Sequence, residues 1–228
     1  MSNTNLILLP GFLSDATLWE HQVKHLNHTA NIKVIPLLSE NTAEKMIDKV
    51  LDSISGPFAL AGHSIGGWVA LEVARKAPAR VIKLCVLNTM ARPDTPEILK
   101  NRKKRIDAIK ADEFEKFAAE LVNFFVINKA VKIDILDMFL SVGAQAVINQ
   151  QNAMINRKAS LTFLKEIHCP TLVIAARKDP YFSVKLHEEM LNYIPHGKLA
   201  IVEDSGHMSP MEMPQAVTAL MQYWLSYF

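Results

Sequence analysis

The sequence predicts an α/β protein on a mainly parallel sheet of about six strands, with helices on both faces and a helical block inserted after the fourth strand. Three observations predict it. Short apolar runs of strand length alternate with helix-compatible stretches up to about Ala91 and again from Thr171 onward. The runs are apolar at consecutive positions, as in Leu6-Ile7-Leu8-Leu9 and Thr171-Leu172-Val173-Ile174-Ala175, which suits parallel strands buried on both faces. Between Arg92 and Glu166 the strand pattern stops, and helical periodicity and charge take over. The expected organisation is a core formed by residues 1–91 and 167–228, with 92–166 as a helical cap over the carboxyl ends of the strands, where such sheets bind ligands.

Each element has its own local reason. Pro10-Gly11 ends the first strand, and Asp15 caps a helix through about Asn27. Ile32-Lys33-Val34-Ile35-Pro36 reads as the second strand. Asn41-Thr42-Ala43-Glu44 has capping-box spacing, and Ala43, Met46, Ile47, Val50 and Ile54 mark one face of the helix that follows. Phe58–Ala61 is the third strand, Ile65–Ala77 a nearly all-apolar helix, and Lys83–Asn88 the fourth strand. In the inserted block, Asp112-Glu113-Phe114-Glu115 opens a helix whose Phe114, Phe117, Leu121, Phe124 and Phe125 lie together. Val131, Ile135, Met138, Phe139 and Val142 mark a second helix, and a polar third runs from about Ala144 to Ile155. A helix around Ser183–Tyr193, a strand at Lys198–Val202 and a last helix with Val217, Leu220, Met221, Trp224 and Phe228 on one face close the chain.

The chain has 228 residues, enough for one large α/β domain. Half of them are hydrophobic and 21% are charged, which excludes global disorder. A net charge of +2 gives no reason to expect nucleic acid as a partner. No apolar run approaches the ~18 residues of a membrane span. The opening Met1-Ser2-Asn3-Thr4-Asn5 lacks the basic and apolar regions of a secretory signal. Cys85 and Cys169 read as small buried core residues in a reducing compartment, so the cytoplasm is expected.

Chemistry concentrates in Gly62-His63-Ser64-Ile65-Gly66, between a buried-type strand and a helix. A strand that reverses into a helix within a few residues crowds its own backbone, and glycine on either side of Ser64 removes the clashing Cβ. The serine is left at the apex of a strained turn, at the positive end of a helix. This is the Gly-x-Ser-x-Gly nucleophile elbow. A serine hydroxyl needs a base, and the base needs a third group to hold its tautomer. The loops after the two later strands supply Ala176-Arg177-Lys178-Asp179-Pro180 and Glu203-Asp204-Ser205-Gly206-His207. The order is therefore Ser64, Asp179, His207, with Asp204 as the substitute acid.

At these residues the chain resembles an α/β-hydrolase of the small serine esterase type over nearly its whole length. Leu8-Leu9-Pro10-Gly11-Phe12 resembles the family's oxyanion loop, Gly62–Gly67 the elbow, Cys169–Asp179 the acid strand, and Ser205–Pro214 the histidine loop. The resemblance implies that Ser64 attacks an acyl carbon, His207 takes its proton and Asp179 orients His207. It also implies that the backbone N–H groups of Phe12 and Ile65 hold the oxyanion. Three departures stand out: Pro10-Gly11 where the family carries His-Gly, Ala176 where it carries Gly, and only five residues before Leu6, so its opening antiparallel hairpin is expected to be missing.

Other residues invite sharper and blander readings. His63 beside the nucleophile suits packing or a substrate-edge contact better than base duty. His21, His25 and His28 recur at helical spacing, but no further ligand completes a metal site, and a solvated face is expected. Lys100, Arg102, Lys103, Lys104 and Arg105 form a basic cluster: a solvated face, or a docking patch for an anionic carrier such as an acyl carrier protein or a coenzyme A thioester. The cap phenylalanines and Met138 suit packing, a few of them lining an acyl pocket. Asn149, Gln150 and Asn152 either orient a polar substrate group or face water.

The expected function is cleavage of a carboxylic ester or thioester of a small to medium acyl group through an acyl-enzyme on Ser64, with no metal or organic cofactor. The alternatives are hydrolysis of a carbon–carbon bond with the same triad, and a ligand-binding or receptor protein on the same scaffold.

Overall fold

The computed structural model describes residues 4–155 and 157–228. Six strands form one sheet in the order β2-β1-β3-β4-β5-β6, and every pairing is parallel. The strands are β1 (Thr4–Leu9), β2 (Ala30–Val34), β3 (Phe58–His63), β4 (Val81–Leu87), β5 (Thr171–Ala176) and β6 (Gly197–Val202). The helices are α1 (Glu20–Leu26), α2 (Ala43–Asp52), α3 (Ile65–Lys76), α4 (Pro96–Lys110), α5 (Phe114–Phe125), α6 (Lys132–Val142), α7 (Ala144–Ile155), α8 (Val184–Leu191), α9 (Ser209–Glu212) and α10 (Pro214–Tyr227).

The continuous apolar strands are explained by two cores, one on each face of the sheet. Leu6 and Leu8 of β1 join Ala59, Ala61, Cys85, Leu87, Leu172 and Ile174 in a core closed by Trp19, Val217, Met221 and Trp224. The alternate residues Ile7 and Leu9 join Leu60, Leu84, Val86 and Val173 on the opposite face, under α2 and α3. Each strand residue therefore serves one layer, and a one-residue slip in register would exchange the two sets.

The chain first places β2 on one side of β1, then returns to put β3 on the other. The strand order thus reverses between β1 and β3, and loops leaving their carboxyl ends diverge to leave a crevice. Helices α4–α7 leave the chain between β4 and β5.

Several boundaries differ from the sequence expectation for local reasons. Asp15 does cap, accepting from Thr17 N at 2.9 Å, but the first turn is a 3₁₀ turn over Ala16–Trp19 that precedes α1. Thr42 rather than Asn41 caps α2, accepting from Lys45 N at 3.2 Å. The expected cap Asp112 instead ends α4: it has φ 66°, and its N–H reaches Ile109 O at 3.2 Å, so α5 starts at Phe114 without a side-chain cap. Helix α4 was not foreseen, because its buried residues Arg102, Ile106 and Ile109 make a polar-looking stripe; Thr95-Pro96 was its start signal. Cys85 is buried as expected, whereas Cys169 is only half-buried.

The tightest point is the β3–α3 reversal. A Cβ on Gly62 would sit on the Gly66 carbonyl and 2.7 Å from Gly67 N, and one on Gly66 would lie 2.5 Å from Pro10 O. Gly62→Ala is expected to cost about 2 kcal/mol or more through backbone displacement, lowering Tm by roughly 4–8 °C in calorimetry. An unchanged Tm would contradict this close approach.

Candidate active site

Ser64 occupies the reversal with φ 54° and ψ −117°, a conformation costly for a residue with a side chain. Backbone bonds hold it there. Its N–H donates to Leu87 O at 2.8 Å, and its carbonyl accepts from Trp68 N at 3.1 Å and from Thr89 Oγ1 at 2.8 Å. Thr89 N in turn donates to His187 Nε2 at 3.2 Å. Leu13 (φ 53°) and Asn88 (φ 47°) bend the loops after β1 and β4 in the same left-handed way, so strain gathers at one edge of the sheet.

Asp179 follows β5 and His207 follows β6, and both return to Ser64. His207 Nε2 lies 3.0 Å from Ser64 Oγ, and His207 Nδ1 lies 2.8 Å from Asp179 Oδ2. A carboxylate only accepts, so Nδ1 donates to it, which leaves Nε2 of the neutral ring to accept from the Ser64 hydroxyl. Asp179 Oδ1 accepts from the N–H groups of Tyr181 (2.8 Å) and Phe182 (3.0 Å), and Oδ2 from Asn88 Nδ2 at 2.9 Å. Burial alone would raise the Asp179 pKa. The His207 charge and these hydrogen bonds outweigh it and bring the value down to about 2. Asp204, the substitute acid, is exposed and pairs with Lys178 at 3.0 Å.

Sequence reasoning missed the partners that fix these groups. Asn88 accepts from Ser209 Oγ at 2.6 Å while donating to Asp179, and only its position after β4 could have drawn notice. His63 is neither base nor substrate contact: its Nε2 donates to the His207 carbonyl at 2.7 Å. Burial, then the neighbouring His207, push its pKa down to about 3, so it is neutral near pH 7. Phe125 O accepts from His207 N at 2.9 Å, and the two rings lie 4.3 Å apart. Buried Glu212 accepts from Met208 N, Ile127 N and Asn128 N at 3.0, 2.9 and 3.0 Å, tying the end of α5 to the histidine loop. Gln150 neither meets a substrate group nor faces water. It accepts from Leu13 N at 3.0 Å and donates to Leu37 O at 2.9 Å, anchoring the loop that carries Phe12.

Gly11 brings that loop against the elbow, where a Cβ would sit 2.5 Å from His63 Nδ1 and 3.2 Å from Ser64 Cβ. Among the described residues, neither the Phe12 nor the Ile65 N–H has a protein acceptor, and both residues line the cleft above Ser64. The apolar part of the cleft wall is made mainly by Phe12, Leu121, Phe124, Phe125, Met154 and Tyr181. Met138 is packed in the core instead.

A model of the alpha/beta hydrolase family matches residues 6–220, nearly the full length. The chain belongs to the α/β hydrolase family. It is similar to a thermophilic esterase from Thermogutta terrifontis, with 28% identity and a TM-score of 0.90 over 98% of this chain and 90% of that one. It is 23% identical, over 96% of its length and 89% of the relative's, to an (E)-2-((N-methylformamido)methylene)succinate hydrolase of Acinetobacter baylyi. A pimeloyl-[acyl-carrier protein] methyl ester esterase of Neisseria meningitidis is 24% identical over 78% of this chain and 73% of its own.

The helix-face histidines fall outside the cleft. His25 and His28 are exposed, and His21 Nδ1 lies 2.8 Å from Thr218 Oγ1. Among the described residues, no cluster of His, Cys, Asp or Glu could hold a metal, and no helix is long and apolar enough to cross a membrane.

The Asp179 shift has a consequence for this α/β hydrolase. A folded pKa of about 2 below the ordinary value of 3.8 contributes stability above pH 4. That contribution, about 2 kcal/mol, is lost as the pH falls from about 4 to 2. The stability gap between the wild type and Asp179→Asn, from denaturant titrations, is therefore expected to shrink by that amount across this window. A gap unchanged from pH 6 to pH 2 would contradict it.

Proposed function

We propose that the protein is a serine hydrolase acting on carboxylic ester or thioester bonds, with Ser64 as nucleophile, His207 as general base and acid, and Asp179 as its orienting carboxylate. What carries this reading is the unbroken relay Ser64 Oγ–His207 Nε2 (3.0 Å) and His207 Nδ1–Asp179 (2.8 Å) at the floor of an apolar cleft. Ser64 Oγ attacks the acyl carbon as its proton passes to Nε2, and Asp179 stabilises the imidazolium. The tetrahedral oxyanion takes the N–H groups of Phe12 and Ile65, the latter at the positive end of α3. The intermediate collapses, and His207 gives its proton to the departing alcohol or thiol. Water, deprotonated by the same nitrogen, then releases the acid. Every step uses groups of the chain and water, with no organic cofactor or metal in any role.

Residues 92–166 act as a cap on a core of 1–91 and 167–228, with Phe124, Leu121 and Met154 from the inserted helices facing a small to medium acyl group. The same relay would serve carbon–carbon bond hydrolysis, but the esterase relatives favour the ester reading. An anionic acyl carrier is a further candidate partner, supported by exposed Lys100, Lys103 and Lys104 on α4 and by the carrier-borne ester named for the Neisseria relative. The two unpaired cysteines favour the cytoplasm.

A panel of short and medium p-nitrophenyl esters tests the proposal. Ser64→Ala is expected to lower kcat by on the order of 10⁴ or more. A wild type no faster than this variant would leave the scaffold as a ligand-binding protein.

A further inference from the structure

The basic cluster of α4 does not form one surface patch. Lys100, Lys103 and Lys104 are exposed, while Arg102 and Arg105, three residues apart on one helical face, turn inward and line the cleft with Ser64. Arg157, which follows α7, lines the same cleft. Arg102 and Arg157 share a single carboxylate, Asp94. Arg102 grips it with Nε and with Nη2 at 3.2 Å, and Arg157 Nε lies 2.9 Å from Oδ1. All three side chains are nearly inaccessible to solvent, at 5%, 4% and 2% exposure for Arg102, Arg157 and Asp94.

The charges do not balance. Two buried guanidinium groups face one aspartate, and among the described residues Arg105 has no acidic partner. Buried cations without a counter-charge are costly. Arg157 is held more loosely than Arg102: its Nε faces Asp94 Oδ1 without an aligned hydrogen bond, and its Nη2 donates to Arg92 O at 2.8 Å. Arg102 Nη1 is held by Gln151 Oε1 at 2.9 Å, which fixes that fork in place. Burial lowers the Arg157 pKa, with Asp94 working against it and Arg102 adding to it.

Phe124, Leu121 and Met154 line the same cleft as an apolar wall. Such a site fits an anion joined to the reacting acyl carbon by a short hydrocarbon spacer. Planar guanidinium forks match a carboxylate in two-point geometry. We infer that Arg102, Arg105 and Arg157 form a carboxylate subsite, so that the substrate class is a monoester or monothioester of a short dicarboxylic acid. This rests on Ser64 being the nucleophile of the same cleft.

The test compares mono-p-nitrophenyl glutarate with p-nitrophenyl valerate, two five-carbon acyl groups that differ in the terminal carboxylate. The wild type is expected to favour the glutarate half-ester in kcat/KM by about 10–100-fold, mostly through KM. Arg105→Gln, and separately Arg157→Lys, are expected to bring that ratio toward one. Equal kcat/KM for the two esters in the wild type, with both rates abolished by Ser64→Ala, would overturn the subsite and leave the hydrolase reading standing.

Calorimetry on Ser64→Ala gives a readout independent of turnover. Glutarate is expected to bind at least tenfold more tightly than valerate, and Arg105→Gln to remove the difference. Inorganic phosphate is the control: binding as tight as that of glutarate would overturn the carboxylate assignment in favour of a general anion site. Should neither ester turn over while glutarate still binds in this way, the carboxylate subsite stands and the hydrolase reading fails.

Discussion

A strand and a helix meeting with no room for a Cβ is the constraint on which this molecule rests. Gly62 and Gly66 let β3 and α3 close on each other and on the loop after β1, and that closure lifts Ser64 to the sheet edge with φ 54°. The strained backbone persists because its neighbours over-determine it: Leu87 O, Trp68 N and Thr89 Oγ1 all bond to Ser64. Two apolar layers, each contributed by alternate residues of the same strands, supply the rigidity that makes such strain affordable.

The same edge gathers buried charge, and its hydrogen bonds keep that charge in a defined state. Asp179 is held ionised by three donors besides His207, while His63, whose ring centre lies 4.9 Å from that of His207, is held neutral by burial. Two imidazoles in contact thus divide their duties: one supports a carbonyl, the other faces the hydroxyl. The inserted helices are coupled to this arrangement rather than merely resting on it. Phe125 O and Glu212 join the end of α5 to the histidine loop, and Gln150 joins α7 to the loop of Phe12. Movement of these helices would therefore be felt at His207 and at the Phe12 N–H together.

The strands and the convergence of Ser64, Asp179 and His207 were legible because their signals are local. Consecutive apolar residues, Gly62-His63-Ser64-Ile65-Gly66 and the loops holding Asp179 and His207 each state their role within a few residues. What stayed hidden depends on distant partners. Arg102 and Lys103 are adjacent in sequence and alike in charge, yet one is buried against Asp94 and the other faces solvent, a difference set by the helix period and by α7. Gln150 reads as an ordinary polar helix residue until the loops after β1 and β2 close over it. Asp112 carried a helix-start signal, but the end of α4 took it first. Local chemistry thus exposed the candidate site, and tertiary contact decided what surrounds it.

The account turns on a covalent bond to one oxygen. Rapid acid quenching of the wild type during turnover of a p-nitrophenyl ester, followed by peptide mass spectrometry, looks for that bond directly. The predicted result is an acyl mass increment on the peptide containing Ser64, appearing in the first turnover and decaying as substrate is exhausted. Ester cleavage with full turnover and the acyl increment on another residue would contradict the account.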